Sequence, residues 1–159
     1  MSSLTKNKRE EKKMIRLQYI FPILVLAVLL FMTVDTIGAS PMDQTKNELD
    51  TAIYHGKASV DSDSADAMKA HLKHAINCIE GPQGKNFDSS ELNPCKGQGN
   101  GIIPDLKAAG TSGANALQHV QEADSIAVSS LGVSDINTLR SNINELVNHL
   151  EQAKAALGM

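Results

Sequence analysis

Five histidines are the residues of this 159-residue chain whose type and placement could support chemistry. Imidazole nitrogen is a good ligand for zinc, copper, nickel and iron ions, and histidine also exchanges protons near neutral pH. The apolar pattern places all five on predicted helices, and each of four helices carries at least one. The five are His55, His71, His74, His119 and His149.

Four of these histidines form two pairs that are centred on predicted turns. The midpoint of His55 and His71 is residue 63, and the midpoint of His119 and His149 is residue 134. Residues equidistant from the turn of an antiparallel hairpin lie at the same height. We therefore predict a main imidazole cluster of His55, His71 and His74 and a weaker cluster of the other two, with His71 alone near the core face. Metal binding should weaken as the pH falls through roughly 6.5, where free imidazole gains its proton.

The first predicted hairpin joins two helices across a short acidic stretch. Its first helix begins near Ser40 or at the capping box Thr45-x-x-Glu48, and it ends at residues 61–66. That stretch resembles the start of a calcium loop but lacks the glycine and the distal glutamate, so a turn followed by a helix N-cap is favoured. The second helix then spans residues 65–80.

The second predicted hairpin has the clearer helical pattern. A short helix near Pro104 precedes it, and the glycines of residues 110–113 interrupt the chain there. Its first long helix ends at Gly132. Its last helix has one continuous apolar face, formed by Ile136, Leu139, Ile143, Leu146, Leu150, Ala153 and Leu157. Short turns within each helix pair and a long link between the pairs predict an all-α fold, an antiparallel four-helix bundle built from two helical hairpins.

The composition agrees with a helical core and excludes several classes of protein. Aromatic residues make up 3% of the chain and tryptophan is absent, so the core must consist of aliphatic residues and methionine, which suits closely packed helices better than a β-sandwich. The apolar fraction of 42% excludes a wholly disordered chain. The sequence shows no nucleophile–base pair, phosphate loop or open zinc motif, so it does not predict an enzyme.

Residues 1–39 are predicted to be an export segment, which leaves residues 40–159 as the bundle domain. Basic residues precede an apolar run from Tyr19 to Val34, and small residues follow it, as in a signal peptide. The run is shorter than the roughly 17–25 residues of a spanning helix, which favours cleavage after Ala39. An uncleaved membrane anchor is the alternative. Both interpretations predict a periplasmic or other extracytoplasmic protein, with membrane contact only through this segment.

The predicted mature domain is acidic. The whole chain has a net charge of −3, and the export segment contributes six basic and three acidic residues, so the remainder carries −6. Such a domain is a poor candidate for binding nucleic acid, which needs clustered Lys and Arg, and its field favours cations. The carboxylates that could orient the imidazoles are predicted to be Glu48, Asp66, Glu122 and Glu145.

Two cysteines belong to the same domain. Cys78 lies near the end of the second helix, and Cys95 lies in the Gly-rich link of residues 81–103. An even number of cysteines in an oxidising compartment predicts a disulfide, which would tether the link to the bundle. The alternative is that both thiolates join His71 and His74 as metal ligands, although zinc fingers have the opposite order of cysteines and histidines.

Two histidine-bearing segments of the first hairpin carry a resemblance to a known family. They are Tyr54-His55-Gly56-Lys57 and His71-Leu-Lys-His74-Ala75. Through them, residues 46–80 resemble the small metal-binding proteins of the bacterial periplasm, which are histidine-rich helical bundles. The resemblance implies binding of divalent metals such as copper, for storage, buffering or delivery, with His55, His71 and His74 as ligands.

Two other classes of function stay open. Met42 and His149 lie roughly where haem-binding four-helix cytochromes of the b562 type place their iron ligands, so an electron-transfer bundle is the second hypothesis. A structural or interaction bundle without a cofactor is the third. The predicted cofactor is a divalent transition metal ion, either copper, zinc or nickel.

Overall fold

A computed structural model of the protein describes residues 40–159. The export segment, its cleavage after Ala39 and the alternative membrane anchor all lie outside this range. Within it, the chain is helical and contains no β-strand, so the all-α prediction is confirmed. The helices are α1 (Pro41–Val60), α2 (Ala65–Glu80), α3 (Ile102–Ala108), α4 (Ala114–Ser130) and α5 (Ile136–Ala156). None of these helices is long and apolar enough to cross a membrane.

Helix α1 begins at the earlier of its two predicted positions. The backbone N–H of Asp43 donates to Oγ of Ser40 at 3.2 Å, and Pro41 occupies the first helical position, which needs no N–H. The alternative start at Thr45-x-x-Glu48 is wrong. Thr45 donates within the helix to the carbonyl of Pro41 at 2.8 Å, and the side chain of Glu48 is buried.

The acidic stretch after α1 is a turn and a helix cap, as predicted. The backbone N–H of Asp61 donates to the carbonyl of Lys57 at 3.0 Å and closes α1. Ser64 then caps α2, because its Oγ accepts from the N–H of Ala67 at 3.2 Å. The turn between the two helices is therefore short, and α1 and α2 pack against each other.

The long helices share one aliphatic core. Helix α1 packs against α2 and α5, and α4 packs against α5 and α2. The core residues that are at most 1% exposed include Leu49, Met68, Leu72, Ile76, Leu139, Ile143, Leu146 and Leu150, and the core formed by residues 40–159 contains no aromatic side chain. Gly56 allows α1 and α5 to approach closely, since a Cβ atom at this position would lie 2.6 Å from Cγ2 of Val147.

The short helix predicted near Pro104 is α3, which begins two residues earlier, at Ile102. Ile102 and Leu106 are fully buried, so α3 contributes to the core despite its length. The segment Gly110–Gly113 forms a 3-10 helix that leads into α4. The two predicted features of this region are therefore present.

A disulfide fastens the irregular link of residues 81–101 to α2. The sulfur atoms of Cys78 and Cys95 are 2.03 Å apart and the Cα atoms are 5.2 Å apart, as in the predicted pairing. Because both sulfurs take part in this bond, they do not join His71 and His74 as thiolate ligands.

Asn77 holds the middle of the same link. Its side chain is almost fully buried, and Nδ2 donates to the carbonyls of Asp88 and Leu92 at 3.0 and 3.1 Å. Its Oδ1 accepts from the N–H of Asp88 at 2.8 Å. All the hydrogen-bonding groups of a buried amide are thus used to fix residues 88–92 against α2.

Two buried carboxyl groups hold the ends of the link. Oε1 of Glu48 accepts from the N–H of Gly101 at 2.9 Å, and the two oxygens of Glu80 accept from the backbone and side chain of Asn86 at 2.5 Å each. Burial raises the pKa of Glu48 to about 7; the hydrogen bond from Gly101 lowers it and the nearby charge of Asp105 raises it. The fold therefore favours the neutral form of Glu48.

Candidate metal centres

The three-histidine cluster comprises His55 on α1 with His71 and His74 on α2. The centroid of the His55 ring is 5.7 Å from that of His71 and 5.0 Å from that of His74, and the latter two are 5.6 Å apart. One ligand nitrogen from each residue lies within 4.8 Å of the other two. The short turn between the helices and the three-residue spacing on α2 bring them together. All three residues of the predicted main cluster therefore lie within reach of a single ion.

His55 is the most buried member of this cluster. It is 9% exposed, whereas His71 and His74 are half-buried, so the expectation that His71 alone lies near the core face is wrong. The cause is that α1 packs against both α2 and α5. Its buried face is wider than a single apolar seam and includes His55.

Burial keeps imidazoles of this cluster neutral. It lowers the pKa of His55 to about 4, and the nearby His74 and His71 lower it further. The pKa of His74 is lowered first by burial and then by His71, with an opposing effect of Glu91. Since a metal ion binds the neutral ring, both side chains are in the ligating form at pH 7.

The ring nitrogens of this cluster differ in whether they have a hydrogen-bond partner. Nδ1 of His55 and Nδ1 of His71 are 3.4 Å apart, and one of them can donate to the other when it carries the proton. Nδ1 of His74 is buried and has no hydrogen-bond partner within residues 40–159. A buried polar atom without a partner costs about 1–3 kcal/mol, and coordination of a metal ion would remove that cost. The three side chains therefore fit a metal ion.

The two-histidine cluster comprises His119 and Glu122 on α4 and His149 on α5. The two ring centroids are 6.0 Å apart, so the second predicted pair also meets across its helices. Oε2 of Glu122 lies 3.0 Å from Nδ1 of His149 and 4.0 Å from Nδ1 of His119. The 3.0 Å contact does not have the geometry of a hydrogen bond, so Nδ1 of His119 and Nδ1 of His149 both lack a hydrogen-bond partner in the described part of the chain. The three groups could also hold an ion, although the Glu122 side chain is 45% exposed.

The carboxylates that lie beside the two clusters are only partly those predicted from the sequence. Glu122 does lie beside the histidines of the second cluster, as predicted. The residue that sequence reasoning missed is Glu91, whose Oε2 lies 3.7 Å from Nε2 of His74. Its position in an irregular link gives no periodic signal, and only its closeness to Cys95 hints that it is held near α2. The other predicted orienting residues belong to neither cluster: Glu48, Asp66 and Glu145.

No protein family, curated protein or solved structure matches this chain. The donor atoms of each cluster indicate which ions it suits. Three imidazoles, or two imidazoles and a carboxylate, suit zinc, copper and nickel ions. Magnesium and calcium ions prefer oxygen ligands, which neither cluster supplies in number.

Proposed function

We propose that this protein is an exported helical bundle that binds divalent transition metal ions for storage, buffering or delivery. The three-histidine cluster is the main site and the two-histidine cluster is a second, weaker site. The observation that supports the proposal is the convergence of three imidazoles from two helices, with one nitrogen of each within 4.8 Å of the others. The role is binding and not catalysis.

The proposed scaffold is an antiparallel four-helix bundle built from two helical hairpins. The packing of α1 against α2 and of α4 against α5 supports this arrangement, as do the contacts of α1 with α5 and of α2 with α4. Bundles hold metal ligands on facing helices at fixed separations. Each cluster takes its ligands from the two helices of one pair, so the scaffold defines the separation of the imidazoles.

The donor atoms favour copper, zinc or nickel. Neutral nitrogen ligands bind these ions well, and among the three the intrinsic order of affinity places copper first. Three protein ligands leave a fourth position for water or an exchanging ligand, which suits a protein that must release its ion. The two-histidine cluster adds the negative charge of Glu122, but its greater exposure to water weakens that attraction.

The other two hypotheses make different predictions about the same residues. A haem-binding bundle requires Met42 and His149 as axial ligands, and the carboxylate of Glu122, 3.0 Å from Nδ1 of His149, leaves Nε2 of that ring available for an iron. A cofactor-free bundle requires that the histidines serve only packing and hydrogen bonding. The unpartnered Nδ1 atom of His74 in residues 40–159 favours metal binding over that alternative.

Calorimetric titration of the full chain with Cu²⁺, Zn²⁺ and Ni²⁺ tests the proposal. The wild type should show one tighter and one weaker site. The triple variant His55→Ala/His71→Ala/His74→Ala should lose the tighter site, and the matched variant His119→Ala/His149→Ala should lose the weaker one. Circular dichroism should show that both variants stay helical. Equal binding by the wild type and the triple variant would mean that the histidines are structural, and a red protein with a Soret band would identify haem.

A further inference from the structure

The link between α2 and α3 brings a carboxylate to the outer edge of the three-histidine cluster. Oε2 of Glu91 lies 3.7 Å from Nε2 of His74, and Oε1 of Glu91 accepts from Nζ of Lys73 at 3.1 Å. The distance to His74 exceeds that of a hydrogen bond, about 2.7–3.2 Å. The two groups are therefore adjacent without being bonded, and a movement of about 1 Å would join them.

The two nitrogens of His74 have different surroundings. Nδ1 is buried and lacks a hydrogen-bond partner in the described chain, whereas Nε2 faces the carboxylate of Glu91. A neutral imidazole carries a proton on one nitrogen and a lone pair on the other. A proton on Nε2 would point at Glu91 and would leave the lone pair of Nδ1 free for an ion.

On the basis of the proposed function, we propose that Glu91 is a positioning residue of the main metal site. It accepts a hydrogen bond from Nε2–H of His74 while Nδ1 of His74 binds the ion. Such a carboxylate fixes the tautomer and the orientation of the ring and makes the ligand more basic. The third imidazole of the site thus depends on a residue that comes from outside the helices.

Several contacts hold Glu91 in this place. Asn77, three residues after His74 on the same helix, binds the carbonyl and N–H groups of the segment around Glu91 with three hydrogen bonds. The Cys78–Cys95 disulfide ties down the chain four residues later. These contacts fix the link against α2 and hold the carboxylate of Glu91 beside His74.

Lys73 provides a way to separate the role of Glu91 from ordinary surface electrostatics. Its Nζ lies 3.1 Å from Glu91 and 3.3 Å from Oδ2 of Asp88, so both carboxylates share the same lysine. Of the two, only Glu91 also lies against a histidine of the cluster. Asp88→Asn is therefore a matched control, because it removes a similar charge from the same lysine and leaves the contact with His74.

Zinc titration of the full chain, carrying His119→Ala/His149→Ala to silence the second cluster, tests this role. We expect Glu91→Ala to lower the zinc affinity about 10–100-fold, the range for loss of such a partner. Glu91→Gln should cost less because its amide oxygen still accepts, and Asp88→Asn should change the affinity less than twofold. Long-range ¹H–¹⁵N spectra of the zinc-loaded protein should show the His74 proton on Nε2, with Nδ1 bound to metal.

The outcomes separate this inference from the proposed function. Tight zinc binding that Glu91→Ala leaves unchanged, or a His74 ring bound through Nε2, would overturn the positioning role and leave the metal site in place. Absence of zinc binding by the parent protein would overturn both. The variant Cys78→Ser/Cys95→Ser gives an independent measurement. Release of the link should weaken zinc binding, and adding Glu91→Ala should then have a smaller effect than it has alone.

Discussion

His55 and His71 meet across the first helix pair with ring centroids 5.7 Å apart, and His119 and His149 meet across the second at 6.0 Å. The tilts between the rings are also similar, 33° and 37°. What differs is the third group. The first pair is completed by a second histidine of α2, and the other pair by an exposed carboxylate. Placement about a turn thus defines a histidine pair, and the neighbouring residues define the kind of site.

The surroundings of the two clusters differ for a structural reason. The link of residues 81–101 is fastened to α2, and it adds a carboxylate to the outer side of the three-histidine cluster. At the two-histidine cluster, the carboxylate comes from α4 itself, three residues after His119. The first site therefore adds a residue of an irregular link to groups on two helices, whereas the second takes all its groups from two helices.

The largest expected effect is that of removing the disulfide, which fastens the link beside the three-histidine cluster and does not involve the helices of the two-histidine cluster. The variant Cys78→Ser/Cys95→Ser should lose about 3 kcal/mol of unfolding free energy, as expected for a closed loop of this size. Chemical denaturation measures the loss. Hydrogen exchange of the folded variant should show reduced protection in residues 81–101, with α4 and α5 little changed. Equal loss of protection throughout these helices would contradict a local tether.

Glu48 binds the end of the link, and replacing it should change the unfolding free energy by a similar amount that depends on pH. Its pKa is about 7 in the folded protein, against 4.5 for an unperturbed glutamate, so its stabilising contribution is complete below pH 4.5 and is lost as the pH rises through 7. Glu48→Gln stays neutral at every pH. As the pH rises from 4.5 to 8, the unfolding free energy of Glu48→Gln should therefore increase by up to about 3 kcal/mol relative to that of wild type.

Denaturation curves at pH 4.5 and pH 8 measure this difference for Glu48→Gln. Asp63→Asn is the control, because it removes an exposed carboxylate that forms no ion pair within residues 40–159. If the difference in unfolding free energy between Glu48→Gln and wild type is the same at both pH values, the buried carboxyl group is not neutral in the folded protein.

Single substitutions compare the two clusters directly. His55→Ala removes the most buried of the proposed ligands and should lower zinc affinity at the proposed tighter site by at least the 10–100-fold that is typical for loss of an outer partner. His119→Ala should leave the tighter site unchanged and affect only the weaker one. Calorimetry of both variants measures this. A larger loss at the tighter site from His119→Ala than from His55→Ala would reverse the assignment.

The smallest expected effect is the pH dependence of binding at the three-histidine cluster. Protonation of His55 and His74 competes with the ion only at low pH, because the pKa of each is lowered. Zinc affinity should therefore fall less than tenfold between pH 7 and pH 6. Three imidazoles of ordinary pKa would lose about thirtyfold over this range, and a loss of that size in competition titrations would show that the cluster is more hydrated than the structure indicates.

The sequence was sufficient for features that depend on local spacing. The helices of residues 40–159, the turn before α2 and the meeting of His55 with His71 follow from apolar periodicity and from distances to the turn. The burial of His55 did not follow, because it depends on the simultaneous packing of α1 against α2 and α5. Glu91 could not be predicted either, since no periodic rule describes the path of an irregular link.

X-ray absorption at the zinc edge of the full chain, loaded with one equivalent of Zn²⁺, identifies the atoms that bind the ion at the three-histidine cluster. We predict three imidazole nitrogens at about 2.0 Å, with the multiple scattering that identifies the rings, and fewer imidazole ligands in His55→Ala/His71→Ala/His74→Ala, where only the two-histidine cluster remains. A shell of oxygen ligands without imidazole scattering would contradict it, as would an identical spectrum from the triple variant.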